Sequence, residues 1–227
     1  MHTMTILRER GHLLVRIDNR RAIVDTGSPI SMSPEPFEFL GQSHSPPTNI
    51  MGVTPQKMSA LSGIQIDILI GCHILSQHTV RFRWKDGLMD VGDDIPESPI
   101  SAELSTLMGT PIFPLCLQGR PSKALFDTGA HLSYIDPDLV AGTVPVGERD
   151  DFYPFIGHFT APIYRIPTAL DDYPLEIEYG TLPESLQMML GMAMRMSNSS
   201  AVIGTQLLEV FDCTISWTRR RISWRRN

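Results

Sequence analysis

The chain has 227 residues, 42% of them hydrophobic, 19% charged and 7% aromatic, and its 25 acidic and 19 basic side chains leave a net charge of −6. This is the profile of a globular protein with enough apolar content for a sizeable core, and it argues against a disordered chain. No apolar run approaches the ~18 residues of a membrane helix, the acidic balance argues against general attraction to nucleic acid, and Arg8, Glu9 and Arg10 interrupt the N-terminus where a secretory leader needs an apolar stretch.

In chain order, HLLVRI (from His12) and AIV (from Ala22) flank the polar turn Asp18-Asn19-Arg20 and predict a hairpin. GQSHSPPTNIMGVTPQKMSALSG, from Gly41, is rich in Pro, Ser and Gly and poor in strand signal. ILIG (Ile68 to Gly71) precedes a short helical pattern, His73 to Gln77, and a strand ending at Trp84. VGDDIPESPIS, residues 91–101, reads as an extended, exposed linker. The expected organisation is therefore an N-terminal lobe over 1–90 and a C-terminal lobe over 102–227. In the second, PIFPLCL and KALF flank Gln118-Gly119-Arg120-Pro121 as another hairpin. From Asp150 to Tyr179 the chain reads as strand, glycine turn, strand, with Phe152, Tyr153, Phe155, Phe159 and Tyr164 crowding a turn near Gly157-His158. Within QMMLGMAMRM, Met188, Leu190, Met192, Met194 and Met196 alternate with the odd positions, which predicts a strand with a bulge at Gly191. AVIG (Ala201 to Gly204) precedes a helical pattern, Gln206 to Val210, and a strand ending at Trp217. The arginine-rich TRRRISWRRN reads as a charged, solvated last strand that resists edge pairing.

These elements form an internal duplication of about 100 residues. RRAIVDTGSPIS, ending at Ser31, matches SKALFDTGAHLSYI, ending at Ile135. TILRERGHLLVRI matches TLMGTPIFPLCL upstream, and in both copies a Trp lies 13 residues after the downstream Gly. Each copy holds Asp-Thr-Gly after a short apolar strand, at Asp25 and at Asp127. Gly permits close approach that a Cβ would block, and Thr can brace the loop by hydrogen bonding to backbone. If the halves pair, the two carboxylates meet, share one proton and supply a base beside an acid for attack of water on a carbonyl.

Other chemistries lack their signals. His44, His73 and His78 have no metal-ligand spacing, and no Gly-x-Ser-x-Gly or phosphate-cradling loop occurs, so no metal or cofactor is expected. Cys72, Cys116 and Cys213 cannot all pair and, without a leader, read as reduced thiols of a cytoplasmic-type compartment, each a small buried hydrophobe. The adjacency of Cys72 and His73 is no mark of a nucleophile, because catalytic partners are neighbours in space rather than in sequence.

IVDTGS at Ile23 to Ser28, ALFDTGA at Ala124 to Ala130, ILIG and AVIG together resemble the aspartic peptidases of the pepsin-like and retropepsin-like superfamily. The resemblance spans nearly the whole chain outside the linker, and each half has about the size of one retropepsin subunit. It implies an all-β fold with a few short helices: two lobes, an acid-protease-type barrel pair with pseudo-twofold symmetry in one monomeric chain. It further implies Asp25 and Asp127 as the catalytic pair, with Thr26 and Thr128 interlocking the loops and Gly27, Ser28, Gly129 and Ala130 supporting them. No cofactor and no nucleic-acid or membrane partner is implied; the partner is a peptide or protein substrate. Asp25 and Gly71 are 46 residues apart, Asp127 and Gly204 are 77, so the family's β-hairpin flap has room only in the second half. Gly157, His158 and Phe159 are its expected substrate-facing tip, and the first half is expected to carry a truncated flap or none. Ser28, set against Ala130 in the other copy, is expected to donate its hydroxyl to Asp25, leaving Asp25 as base and Asp127 as acid. So little sequence precedes the first repeat that a long propeptide is not expected. An endopeptidase is favoured over a peptide-binding or regulatory module on the same fold because both triplets are intact.

Overall fold

Turn residues with left-handed backbone draw the strands into hairpins. Asp18 and Asn19 take φ of 48° and 64°, the pair of positive angles that a two-residue hairpin turn requires, so Ile17 faces Arg20 and Val15 faces Ala22. Gln118 and Gly119 do the same (51° and 75°) between Thr110–Leu117 and Arg120–Phe126. The computed structural model describes all of residues 1–227, and the molecule is mostly β with short helices. None of those helices is long and apolar enough to cross a membrane.

A four-stranded sheet in the first half runs Leu7–Glu9, His12–Ile17, Arg20–Val24 and Ile68–Ile70, the last pair parallel with Ile23 beside Leu69. In the second half Arg120–Phe126 likewise lies parallel to Ala201–Ile203, with Leu125 beside Val202. That sheet continues through Ser133–Ile135 and Glu178–Gly180 to a long hairpin, Gly147–Tyr153 and Gly157–Arg165. A six-stranded sheet joins the halves in the order His2–Thr5, Leu88–Val91, Thr79–Arg83, Phe211–Ser216, Arg221–Arg226, Ile100–Glu103. Its seam sets Phe82 beside Cys213 and Val80 beside Ile215. One apolar core follows the seam, uniting Val24 and Ile70 with Phe126, Ile203 and Cys213. Two smaller clusters flank it, one around Ile23, Met32, Met58 and Leu69, the other around Tyr134, Leu182, Leu186 and Val202.

Two sequence expectations are corrected. The methionine segment is helical, Glu184–Gln187 followed by Leu190–Met196. It contains no β-branched residue, and Met, Leu, Gln and Ala favour helices. Leu186, Leu190 and Met194 face the second-half cluster, a four-residue spacing that mimics alternation when only even positions are counted. Met188, Met189, Met192 and Met196 are exposed. The last strand, moreover, is not an edge. Arg221–Arg226 is paired on both sides, Ile222 and Trp224 are buried, and Arg225 meets Asp212 at 2.7 Å.

The segment poor in strand signal builds the helix Pro55–Ser62. Thr54 caps it by accepting from the Lys57 N–H (3.1 Å), Pro55 occupies its first turn, and Gly63 ends it with φ of 69°. Just before it, Ile50 and Val53 bridge across a tight turn at Met51-Gly52.

Candidate active site

Each Asp-Thr-Gly loop is pinned by the parallel strand that follows it in the same half. The Asp25 N–H donates to the Ile70 carbonyl and the Asp127 N–H to that of Ile203, both at 2.9 Å. The loops then tuck against Gly71 and Gly204, whose N–H groups donate to the buried hydroxyls of Ser31 (2.8 Å) and Ser133 (3.1 Å). A Cβ at Gly71 would come within 2.6 Å of the Ile30 carbonyl oxygen, and one at Gly204 within 2.6 Å of that of Ala130. This is why glycine closes each apolar-apolar-Gly element.

The two loops meet reciprocally. Thr26 Oγ1 donates to the Phe126 carbonyl (2.7 Å) and accepts from the Thr128 N–H (3.0 Å); Thr128 Oγ1 donates to the Val24 carbonyl (2.7 Å) and accepts from the Thr26 N–H (3.1 Å). Both threonines are wholly buried, so removal of either hydroxyl strands two backbone groups, at about 1–3 kcal/mol each. Gly27 packs on the Asp127 carboxyl and Gly129 on that of Asp25, where any Cβ would overlap it.

Within its own loop each carboxyl takes two N–H donors on one oxygen. Asp25 Oδ1 accepts from Gly27 and Ser28 (2.9 Å each), Asp127 Oδ1 from Gly129 (2.9 Å) and Ala130 (3.2 Å). The two carboxyls lie close enough for each to shift the titration of the other. Burial raises the pKa of both, and for Asp25 the Asp127 charge adds to it, so that it rises well above the ordinary carboxylate range. The anticipated Ser28 hydroxyl contact is absent: Ser28 Oγ donates to the Ile30 carbonyl (2.8 Å), satisfying a turn, and only its N–H reaches Asp25. With no Ser28 hydroxyl on Asp25, the expected assignment of Asp25 as base and Asp127 as acid has no side-chain contact behind it, and the two coupled carboxyls titrate as one pair.

The dyad forms the floor of a cavity of about 290 Å³ walled by the two smaller apolar clusters. The long hairpin roofs it. Phe159 and Tyr153 pack on the second-half cluster, and Phe155 at the tip reaches across to the first-half cluster, which Ile50 also joins. Of the three anticipated tip residues, Phe159 lines the cavity; Gly157 only supplies the turn (φ of 90°), and His158 is exposed outside it. Tyr153 also lines it, its hydroxyl pushed up to about 12 by burial and by the charges of Asp127 and Asp25. From the first half, Ile50, Val53 and Met58 contribute wall.

Sequence reading missed His12, Tyr134 and Asp151, which also line this space. His12 Nδ1 donates to the Gly129 carbonyl (3.0 Å), as Thr110 Oγ1 does to that of Gly27 (3.3 Å). His12 and Thr110 follow Gly11 and Gly109 in the two copies, so the repeat alignment held the signal. Cys72 is buried, its thiol donates to the Thr26 carbonyl (3.1 Å), and burial pushes its pKa up, while His73 Nδ1 accepts from the Ser31 N–H. That geometry forms no thiol–imidazole pair. No group of His, Cys, Asp and Glu is arranged to hold a metal ion. No protein-family model matches this chain, and neither does any curated protein.

Proposed function

We propose that the protein is an aspartic endopeptidase, a single-chain, two-lobed relative of the retropepsins and pepsins in which each half supplies one catalytic carboxyl. One observation carries this reading: two Asp-Thr-Gly loops, one from each copy of the repeat, interlock through their threonines and present their carboxyls to each other under a roofed apolar cavity. Such a pair, holding one proton, supports hydrolysis without metal or covalent intermediate. Water seated between the carboxyls loses a proton to the ionised one as its oxygen bonds to the peptide carbonyl carbon. The protonated carboxyl gives its proton to the carbonyl oxygen. Collapse of the gem-diol breaks the C–N bond: the amine leaves with the dyad's proton while a diol hydroxyl gives its own to the ionised carboxyl, which restores the singly protonated pair. Apolar walls suit an extended peptide whose side chains displace water from the cavity.

Incubation of purified protein with a peptide library across pH, with and without a transition-state inhibitor of aspartic peptidases, tests this. Inhibitor-sensitive cleavage is expected, and Asp25→Asn and Asp127→Asn each abolish it, because a shared-proton pair acts as a unit. Near wild-type turnover in either variant rejects the assignment. Tight inhibitor binding without turnover identifies a peptide-binding module instead.

A further inference from the structure

Asp151 has no role in the reaction just described, yet it lines the same cavity as the dyad. It lies on the hairpin strand Gly147–Tyr153, where alternation turns Asp150 outward and Asp151 inward. Asp150 is exposed and accepts the Thr160 hydroxyl (2.7 Å). Asp151 Oδ2 instead accepts the hydroxyl of Tyr134, which is buried, and Oδ1 accepts the Phe152 N–H (2.8 Å). Those two donors fix the carboxylate in one orientation, but both are neutral. None of the nine ion pairs of the molecule includes Asp151. His12 lies near enough to sense its charge, but burial lowers the imidazole pKa and favours the neutral ring.

Half-buried, without a counter-charge and opposite Phe159 in a cavity that Leu182 and Leu186 also line, Asp151 offers an unpaired acceptor to a cation. An anion in this space would meet three carboxyls. A neutral apolar side chain would leave the carboxylate desolvated and unpaired. Lysine and arginine join a long apolar stem to a cationic head, which matches apolar walls ending in a carboxylate. The net charge of −6 also favours the approach of cationic peptides.

We propose that Asp151 is a specificity-determining residue that receives a lysine or arginine side chain of the substrate close to the scissile bond. The proposal rests on the endopeptidase reading and assigns part of its substrate class. Asp151 lies on the hairpin of the second half, the half that also supplies Asp127, so the basic subsite is assigned to that half's side of the cavity.

The test uses peptides blocked at both ends, so that the only variable charge is on a side chain. Arginine is compared with its neutral isostere citrulline at successive positions on either side of the cleaved bond. At one of them, arginine should raise kcat/KM by about tenfold, and Asp151→Asn should bring that ratio close to one. Tyr134→Phe, which keeps the ring but frees the carboxylate, should give an intermediate ratio. A wild-type ratio near one at every position overturns the proposal and leaves the peptidase reading standing, whether or not the variants fold. Persistence of the preference in Asp151→Asn overturns it as well. Absence of cleavage of any peptide rejects the peptidase reading itself, and this proposal with it.

Discussion

At Asp25 two influences oppose each other. The N–H groups of Gly27 and Ser28 favour the carboxylate, whereas burial and the Asp127 charge favour the acid, and the acid prevails. The folded pair therefore holds a proton to higher pH than the unfolded chain, whose aspartates release theirs at about 3.9. Stability tied to this proton is fully present below that value and is lost as pH rises through the elevated folded pKa. Asp25→Asn, neutral at all pH, should match wild-type Tm near pH 3 and exceed it at pH 8 by about 2–8 °C, for a cost on the order of 1–2 kcal/mol. Thermal melts across pH check this, and a variant equally or less stable at pH 8 contradicts the raised pKa. His12 acts in the opposite sense. Its lowered pKa means that acid costs the fold stability as pH falls from 6.5 through the folded value.

The roofing hairpin shows the same economy at the level of an element. Rooted in the second-half sheet, it reaches the first half through Phe152, whose ring lies 5.9 Å from that of His12, and through its tip, where Phe155 packs on the cluster that Ile50 joins. Phe155→Ala removes that anchor and should lower kcat/KM for peptides by about tenfold, with faster amide exchange over residues 147–165. Unchanged exchange and turnover would show that the tip contact does not hold the roof. Met51→Ser, at an exposed turn that does not line the cavity, should alter turnover by less than about twofold. The hairpin was legible in its aromatic strands and in the longer interval before Gly204. So were the Asp-Thr-Gly loops, because duplication doubles a short signal. Asp151 and Tyr134 were not, since they reach the cavity from separate strands and share no spacing, and His12 was marked only by its place after Gly11, matching Thr110 after Gly109. The methionine helices were misread because a stripe at Leu186, Leu190 and Met194 passes for alternation when neighbouring methionines are also counted as apolar.

Across the whole molecule, the six-stranded sheet binds the halves more tightly than a linker would. Thr79–Arg83 lies against Phe211–Ser216, and Ile100–Glu103, which begins inside the expected linker, pairs with the C-terminal strand. Fragments 1–96 and 97–227 would each expose a strand edge and part of the shared core. Neither should give a cooperative thermal transition alone, and mixing should restore one. A monomeric fragment that melts cooperatively would show that its half is self-sufficient. The hairpin that roofs the cavity belongs to one half only, and in a peptidase this has a consequence for grammar as well as grip. Two identical subunits with identical roofs could read a bound peptide equally well from either end. Here a roof hung from one wall, carrying Asp151 on one of its strands, makes the two reading directions unequal, so a peptide and the same sequence written backwards become different messages.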